Sequence, residues 1–149
     1  MKLKIKLIPT PCGKTVPVPA YQSEFSAGAD LQACIDAPVT VPPHGRVLIP
    51  AGIAVEPDTN DVGIFLFARS GLASKKGICL ANSVGVVDAD YRGEIKIALL
   101  NTSDTPYTVE PFERIAQLVV MPVVKAEFVE TEVLDDTARG AGGFGSTGK

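Results

Sequence analysis

Proline and glycine interrupt this chain so often that a long helix has no room to form. Twelve prolines and fourteen glycines are spread over 149 residues. Proline lacks the amide donor a helix needs, and glycine costs a helix interior about 1 kcal/mol relative to alanine. What survives between the breaks is a series of short apolar or alternating runs. Leu3, Ile5 and Leu7 alternate with Lys2, Lys4 and Lys6, which predicts a strand with one face buried. Val39 and Val41 run into Pro-Pro-His-Gly, a strand followed by a turn. Residues 46–57, RVLIPAGIAVEP, read as two strands broken at Pro50-Ala51-Gly52. VGIFLFA (62–68) is too short for a buried helix and reads as a buried strand. Further strands are expected at GICL (77–80), at EIKIALLN (94–101) with Ile95, Ile97 and Leu99 on one side, twice within 107–124, and at EFVETEVL (127–134). Only SGLASKK (70–76) looks helical, with Ser70 as its N-cap and Gly77 as its stop. Many short strands at close spacing predict an all-β sandwich or barrel, a jelly roll above all. We expect a single domain over residues 1–134, followed by a flexible arm over residues 135–149.

Composition narrows the functional classes. The chain is 46% hydrophobic and 21% charged, which suits a globule with a real core. A net charge of −3 advertises no face for nucleic acid. No run approaches the roughly eighteen apolar residues of a membrane span. The opening MKLKIKL alternates lysine with apolar residues, whereas a signal peptide needs a continuous apolar stretch. Cys12, Cys34 and Cys79 are odd in number and lack metal-site spacing, so the cytoplasm is the expected compartment. His44 is the sole histidine and is expected in an exposed turn.

Four internal blocks carry polar residues of chemical interest. In ANSVGVVDADYRGEI (81–95), a hairpin connection, Asp88 and Asp90 are either turn residues or acid–base groups. In ARSGLASKKG (68–77), Arg69 and Ser70 are either a helix cap beside a surface arginine or an anion site. Arg114 and Gln117 in ERIAQLVV (113–120) read as polarity at a strand start. Asp30 in AGADLQA (27–33) reads as a turn residue. The tail RGAGGFGSTGK (139–149) spells both G-x-G-x-x-G and G-x-x-x-x-G-K. Neither fingerprint has the strand before it and the helix after it that such sites require.

Taken in order, AGADL (27–31), ARSGLA (68–73), NSVGVVDADYRGEI (82–95), ERIAQLVV (113–120) and RGAGGFGSTG (139–148) resemble the five motifs of the trimeric dUTPase family, in its bacterial form. The resemblance covers nearly the whole chain. It implies a β-clip jelly roll and hydrolysis of dUTP to dUMP and pyrophosphate, which keeps uracil out of DNA and supplies dUMP for dTMP synthesis. It also implies Mg2+ as cofactor and a homotrimer whose active sites are shared between subunits. Asp88 would be the general base for the water that attacks the α-phosphorus, with Asp90 in a lesser role. Asn82 and the backbone of Gly85, Val86 and Val87 would read uracil, and Tyr91 would stack under the deoxyribose. Arg69, Ser70, Gly71 and Gln117 would contact phosphate oxygens. Asp30 would reach magnesium through water, the metal resting on the triphosphate. Lys96 is either a substrate contact or a solvent-facing lysine. From the tail, Arg139 would pair with the γ-phosphate, Phe144 would stack on uracil, and Gly145, Ser146 and Thr147 would donate hydrogen bonds. Residues 135–144 can span roughly 30 Å when extended, enough to reach a neighbour.

One departure stands in the fourth motif, where the family usually has glycine at the position of Phe112. A left-handed turn would strain phenylalanine, so a differently shaped turn is expected there. Two rivals remain in view. A dCTP deaminase of the same fold would need a glutamate at the position of Ala98 and a serine at that of Gly71. A non-catalytic trimeric interaction protein would have no need of Asp88, Arg69 and Phe144 together.

Overall fold

In the computed structural model, residues 1–143 are described. Strands and helix follow in the order β1 (Leu3–Leu7), β2 (Ala29–Gln32), β3 (Val39–Val41), β4 (Arg46–Pro50), β5 (Ile53–Pro57), β6 (Val62–Ala68), α1 (Ser70–Lys76), β7 (Ile78–Leu80), β8 (Gly85–Val87), β9 (Lys96–Asn101), β10 (Tyr107–Val109) and β11 (Arg114–Pro122). The sheets are β2-β11-β6-β8, β4-β9-β7, β1-β5 and β10-β3, and the pairings are antiparallel. This is the expected all-β jelly roll with one short helix. No helix among the described residues is long and apolar enough to cross a membrane.

The alternation in sequence becomes burial in space. On β9, Ile97 and Leu99 are fully buried while Lys96 is exposed. They meet Leu31, Ile49, Ile53, Ile64 and Ile115 in one core. The apolar run of β6 is buried on one face only: Ile64 and Leu66 point into the core, while Phe65 and Phe67 are half-buried.

Several expectations need correction. Residues 127–134 form no strand, and Phe128, Val129, Val133 and Leu134 are exposed. A strand needs a partner for its amides, and this segment makes no ladder within its own chain. Ser70 does not cap α1. Arg69 holds the cap position in an extended conformation, no side chain bonds to the helix end, and Ser70 is the first helical residue. Gly77 does end the helix, with φ of 68° and its amide donating to Ala73. The connection 81–95 does join an antiparallel pair, β7 and β9, but its middle leaves that sheet and pairs as β8 with β6.

The turn at Phe112 is also not reshaped. Phe112 adopts φ of 63°, the left-handed region that costs a non-glycine residue of order 1–3 kcal/mol. Neighbouring contacts offset that strain. The Phe112 amide donates to the Ala33 carbonyl at 2.8 Å, and the Ala33 amide donates to the Glu113 carbonyl at 2.8 Å. The phenyl ring packs against the core. The Glu113 carboxylate accepts from the Tyr107 hydroxyl with one oxygen and from the Glu110 amide with the other, at 3.0 Å. Both ends of the turn are thereby tied.

Candidate active site

β8 is the outermost strand of its sheet, bonded on one side to β6. Among the described residues its other edge therefore has no strand partner, leaving backbone N–H and C=O groups that a planar ligand could meet. Gly85 is required there by packing: a Cβ would stand 2.9 Å from Leu66 Cβ across the ladder. The approach to β8 turns sharply through Asn82 and Ser83. Ser83 has φ of 62°, its amide donates to Leu80 at 3.0 Å, and the Val84 amide returns to Asn82 at 2.7 Å. Asn82 and Val86 are exposed. Nothing in the spacing signalled the left-handed serine.

After β8 the chain bends at Asp88. The Tyr91 amide donates back to the Asp88 carbonyl at 3.1 Å. A cleft of about 290 Å³ opens beside this bend, lined by Val86, Val87, Asp88, Tyr91, Glu94, Ile95 and Lys96. The structure thus brings Asp88, Tyr91 and Lys96 into one cleft with the free edge of β8. Asp88 is exposed and also borders a second hollow of about 420 Å³ shared with Gly63, Phe65 and Lys125.

The second cluster is built from charge. Asp30 on β2 is buried, with a side chain 5% exposed. Its Oδ2 accepts from Arg114 Nη1 at 3.0 Å. Its Oδ1 faces Arg69 Nε at 3.4 Å and accepts from Gln117 Nε2 at 3.4 Å. Arg69 also donates through Nη1 to the Arg114 carbonyl at 2.8 Å, and Arg114 reaches Gln22 at 3.2 Å. Two guanidinium groups on one carboxylate leave a positive charge in excess, a suitable setting for an anion. Asp30, expected to reach a metal through water, has both oxygens turned to these donors. Ser70 and Gly71 follow Arg69 at the surface, and a side chain at Gly71 would meet nothing within 4 Å.

Arg114 belongs to this cluster, although strand periodicity places residues 114 and 117 on opposite faces. A bulge between Arg114 and Ala116 shifts the register against β2 and turns both side chains onto Asp30. Such a bulge leaves no mark in sequence spacing. The Tyr107 hydroxyl bonded to Glu113 braces the same strand start. Burial, and then the neighbouring carboxylate, push that phenol's pKa up, so it remains a donor.

The two clusters lie far apart in one chain. In the register of β6 with β8, Val87 faces Ile64, which puts Asp88 beside Gly63. Arg69 follows the other end of β6. From Gly63 to Arg69 is six residue steps, about 20 Å at 3.3 Å per step. Arg139 lies in an exposed turn, its Nε donating to the Gly142 carbonyl at 2.7 Å. Phe144, Gly145, Ser146 and Thr147 lie outside the described residues.

Comparison with known proteins places these features in a family. The model of the dUTPase family matches residues 14–148. A deoxyuridine 5'-triphosphate nucleotidohydrolase of Desulfitobacterium hafniense is 49% identical over 146 residues, covering 98% of this chain and 97% of its own. A protein of the same name from Acinetobacter baumannii is 46% identical over 150 residues, covering 100% and 99%. Among solved structures, a Staphylococcus bacteriophage 80alpha dUTPase with dUpNHpp superposes with a TM-score of 0.85 at 26% identity, covering 99% of each chain. A dUTPase from phage phi11 of S. aureus, described with a coordinated structural Mg(II) ion, shares the fold with a TM-score of 0.79 at 20% identity, covering 91% of this chain and 100% of its own.

Proposed function

The chain belongs to the dUTPase family, and from that premise we propose that it hydrolyses dUTP to dUMP and pyrophosphate with Asp88 as the group that orients and deprotonates the attacking water. The observation that carries the reading is the position of Asp88. It stands at the mouth of a cleft whose wall is a free strand edge and whose lining includes Tyr91. Uracil offers one N3–H donor between two carbonyl acceptors, a pattern that backbone groups of Gly85, Val86 and Val87 with the Asn82 amide can match. Cytosine inverts that pattern at N3 and C4. A site built on such bonds rejects the wrong base strongly, because its own groups are left unpaired. Tyr91 lies beneath the sugar in this reading. Lys96, at the rim of the same cleft, supplies a positive charge toward the substrate.

The phosphates go to the other cluster. Arg69 and Gln117 are held by Asp30, with Ser70 and Gly71 open beside them. In a triphosphate the α- and γ-phosphorus atoms are only two P–O–P links apart, far less than the length of β6. The Asp88 end and the Arg69 end of one chain therefore serve different substrates. This supports a ring of three copies in which each site takes Asp88 from one chain and Arg69 from a neighbour, a closed heterologous contact. The exposed apolar residues of 127–134 support the same reading, and residues 135–149 would then reach a neighbouring site. There Arg139 would meet the γ-phosphate, Phe144 the uracil, and Gly145, Ser146 and Thr147 the phosphate oxygens.

A divalent ion, Mg2+ in this reading, would neutralise phosphate charge as the leaving pyrophosphate forms. Among the described residues no three acidic, histidine or cysteine side chains converge on a common point. Magnesium prefers oxygen ligands and keeps several waters, so it would sit on the phosphates, while Asp30, with both oxygens turned to Arg114, Arg69 and Gln117, serves to hold the phosphate-binding donors. Three free thiols suit the cytoplasm as the working compartment. The deaminase reading is not favoured: Ala98, half-buried on β9 opposite Leu48, offers no carboxylate.

The test is Asp88→Asn, followed by pyrophosphate release. Analogue binding should persist while turnover falls by about 10²–10⁴. Unchanged turnover removes Asp88 from the mechanism.

A further inference from the structure

The loop that leaves Asp88 folds back on itself around one aromatic ring. The Tyr91 hydroxyl donates to the carbonyl of Glu94 at 3.2 Å. Arg92 clamps the same bend, its Nη1 donating to the Ala89 carbonyl at 2.7 Å and to the Tyr91 carbonyl at 3.1 Å. The Glu94 carboxylate in turn accepts from the Gly52 amide at 3.2 Å, so the loop backbone is tied to the body of the domain. The ring of Tyr91 consequently lies across position 93.

That residue is glycine, and its backbone does not explain why. Gly93 is not among the residues with positive φ, so any amino acid suits its conformation. The ring explains it. A Cβ at Gly93 would stand 2.3 Å from Tyr91 Oη, 2.5 Å from Cζ and 3.0 Å from Cε2, and no real contact is that short. Gly85 differs, since its missing Cβ makes room for Leu66 in the sheet.

We infer that Gly93 is a positioning residue for sugar recognition: the space left by its missing side chain sets the height of the Tyr91 ring in the cleft. The inference rests on the reading of Tyr91 as the surface beneath the deoxyribose. With any side chain at position 93 the ring must lift from the backbone. The loop is held by its bonds to Gly52 and Arg92, and the ring itself lines the cleft, so a displaced ring moves within cleft space. Lifting breaks the bond to Glu94 and drives the ring into the space the sugar would occupy. Asp88 and the phosphate cluster are untouched.

The experiment is Gly93→Ala in the full chain, measured with dUTP and with the analogue dUpNHpp. KM for dUTP and Kd for the analogue should rise about tenfold, with kcat within about threefold of the parent. In a Tyr91→Ala background the same substitution should change Kd by less than about twofold, because the ring it would strike is gone. An equal effect in both backgrounds, or unchanged KM and Kd in Gly93→Ala, overturns the inference. Should Gly93→Ala fail to fold, recovery of cooperative melting in the double variant supports a clash with the ring, and failure of both overturns it. A Tyr91→Ala variant with unaltered Kd brings down the sugar reading and this inference with it. An effective Tyr91→Ala beside a silent Gly93→Ala brings down this inference alone.

Discussion

In the proposed reading, recognition along β8 is built from backbone, whereas recognition at the Ala68 end of β6 is built from charge. The first region relies on an unpaired strand edge, a left-handed serine and glycines placed where a Cβ would collide. Its side chains are largely exposed, and its shape comes from how closely main chains approach. The second region relies on a buried carboxylate that holds two guanidinium groups and an amide. Under the proposed function, the difference follows from the two ends of a nucleotide. A base is told from its relatives by a fixed pattern of donors and acceptors, which rigid backbone supplies with little ordering cost. A triphosphate needs positive charge, and arginines near a surface need an anchor before they can present it.

The comparison can be broken most severely at Asp30. Asp30→Asn leaves two guanidinium groups facing a neutral amide. Removing one partner of a fully buried pair costs 3–5 kcal/mol. Arg69 and Arg114 are 28% and 44% exposed, so a loss of about 2–3 kcal/mol is expected here after allowing for solvent screening. Urea unfolding measures it, and KM for dUTP should rise as Arg69 loses its hold. A variant with parental stability and KM would mean the charge cluster is not preassembled. On β8, Gly85→Ala forces a methyl against Leu66. Overpacking of this kind costs about 1–3 kcal/mol, and uracil selectivity should fall along with it. Loss of stability with selectivity intact would separate the strand edge from base reading.

The smallest effect concerns the brace behind the charge cluster. Tyr107→Phe deletes one hydrogen bond to Glu113, a loss of about 1 kcal/mol. Its pH signature is more telling. The folded protein holds the Tyr107 proton more tightly than the unfolded chain does. The contribution is therefore fully present below the unfolded phenol pKa of about 10, and is lost as pH rises from there through the higher folded value. Thermal melts above pH 10 should show a decline in the parent that is weaker in Tyr107→Phe.

Much of this was legible in sequence because it depends on local pattern. Alternation on β9 fixed the inward face of Ile97 and Leu99, and Gly77 marked the end of the helix. The cleft lined by Asp88, Tyr91 and Lys96 was also legible, since these residues are close along the chain. The charge cluster was harder to see. Asp30 and Arg114 are 84 positions apart, and the bulge that turns Arg114 toward Gln117 has no sequence mark. Phe112 misled for a different reason. Its dihedral penalty is local and predictable, but the contacts at Ala33, Glu110 and Tyr107 that offset it are tertiary. Residues 127–134 have the β-branched and aromatic content of a strand without forming one, because propensity cannot supply a neighbouring edge.

The separation of the two clusters along β6 has a genetic corollary. Under the proposed ring, a chain crippled at Asp88 still lends a whole phosphate cluster to its neighbour, and a chain crippled at Arg69 still lends a whole cleft. Two dead alleles expressed together would then complement one another in mixed rings, restoring a fraction of working centres that neither homogeneous population possesses.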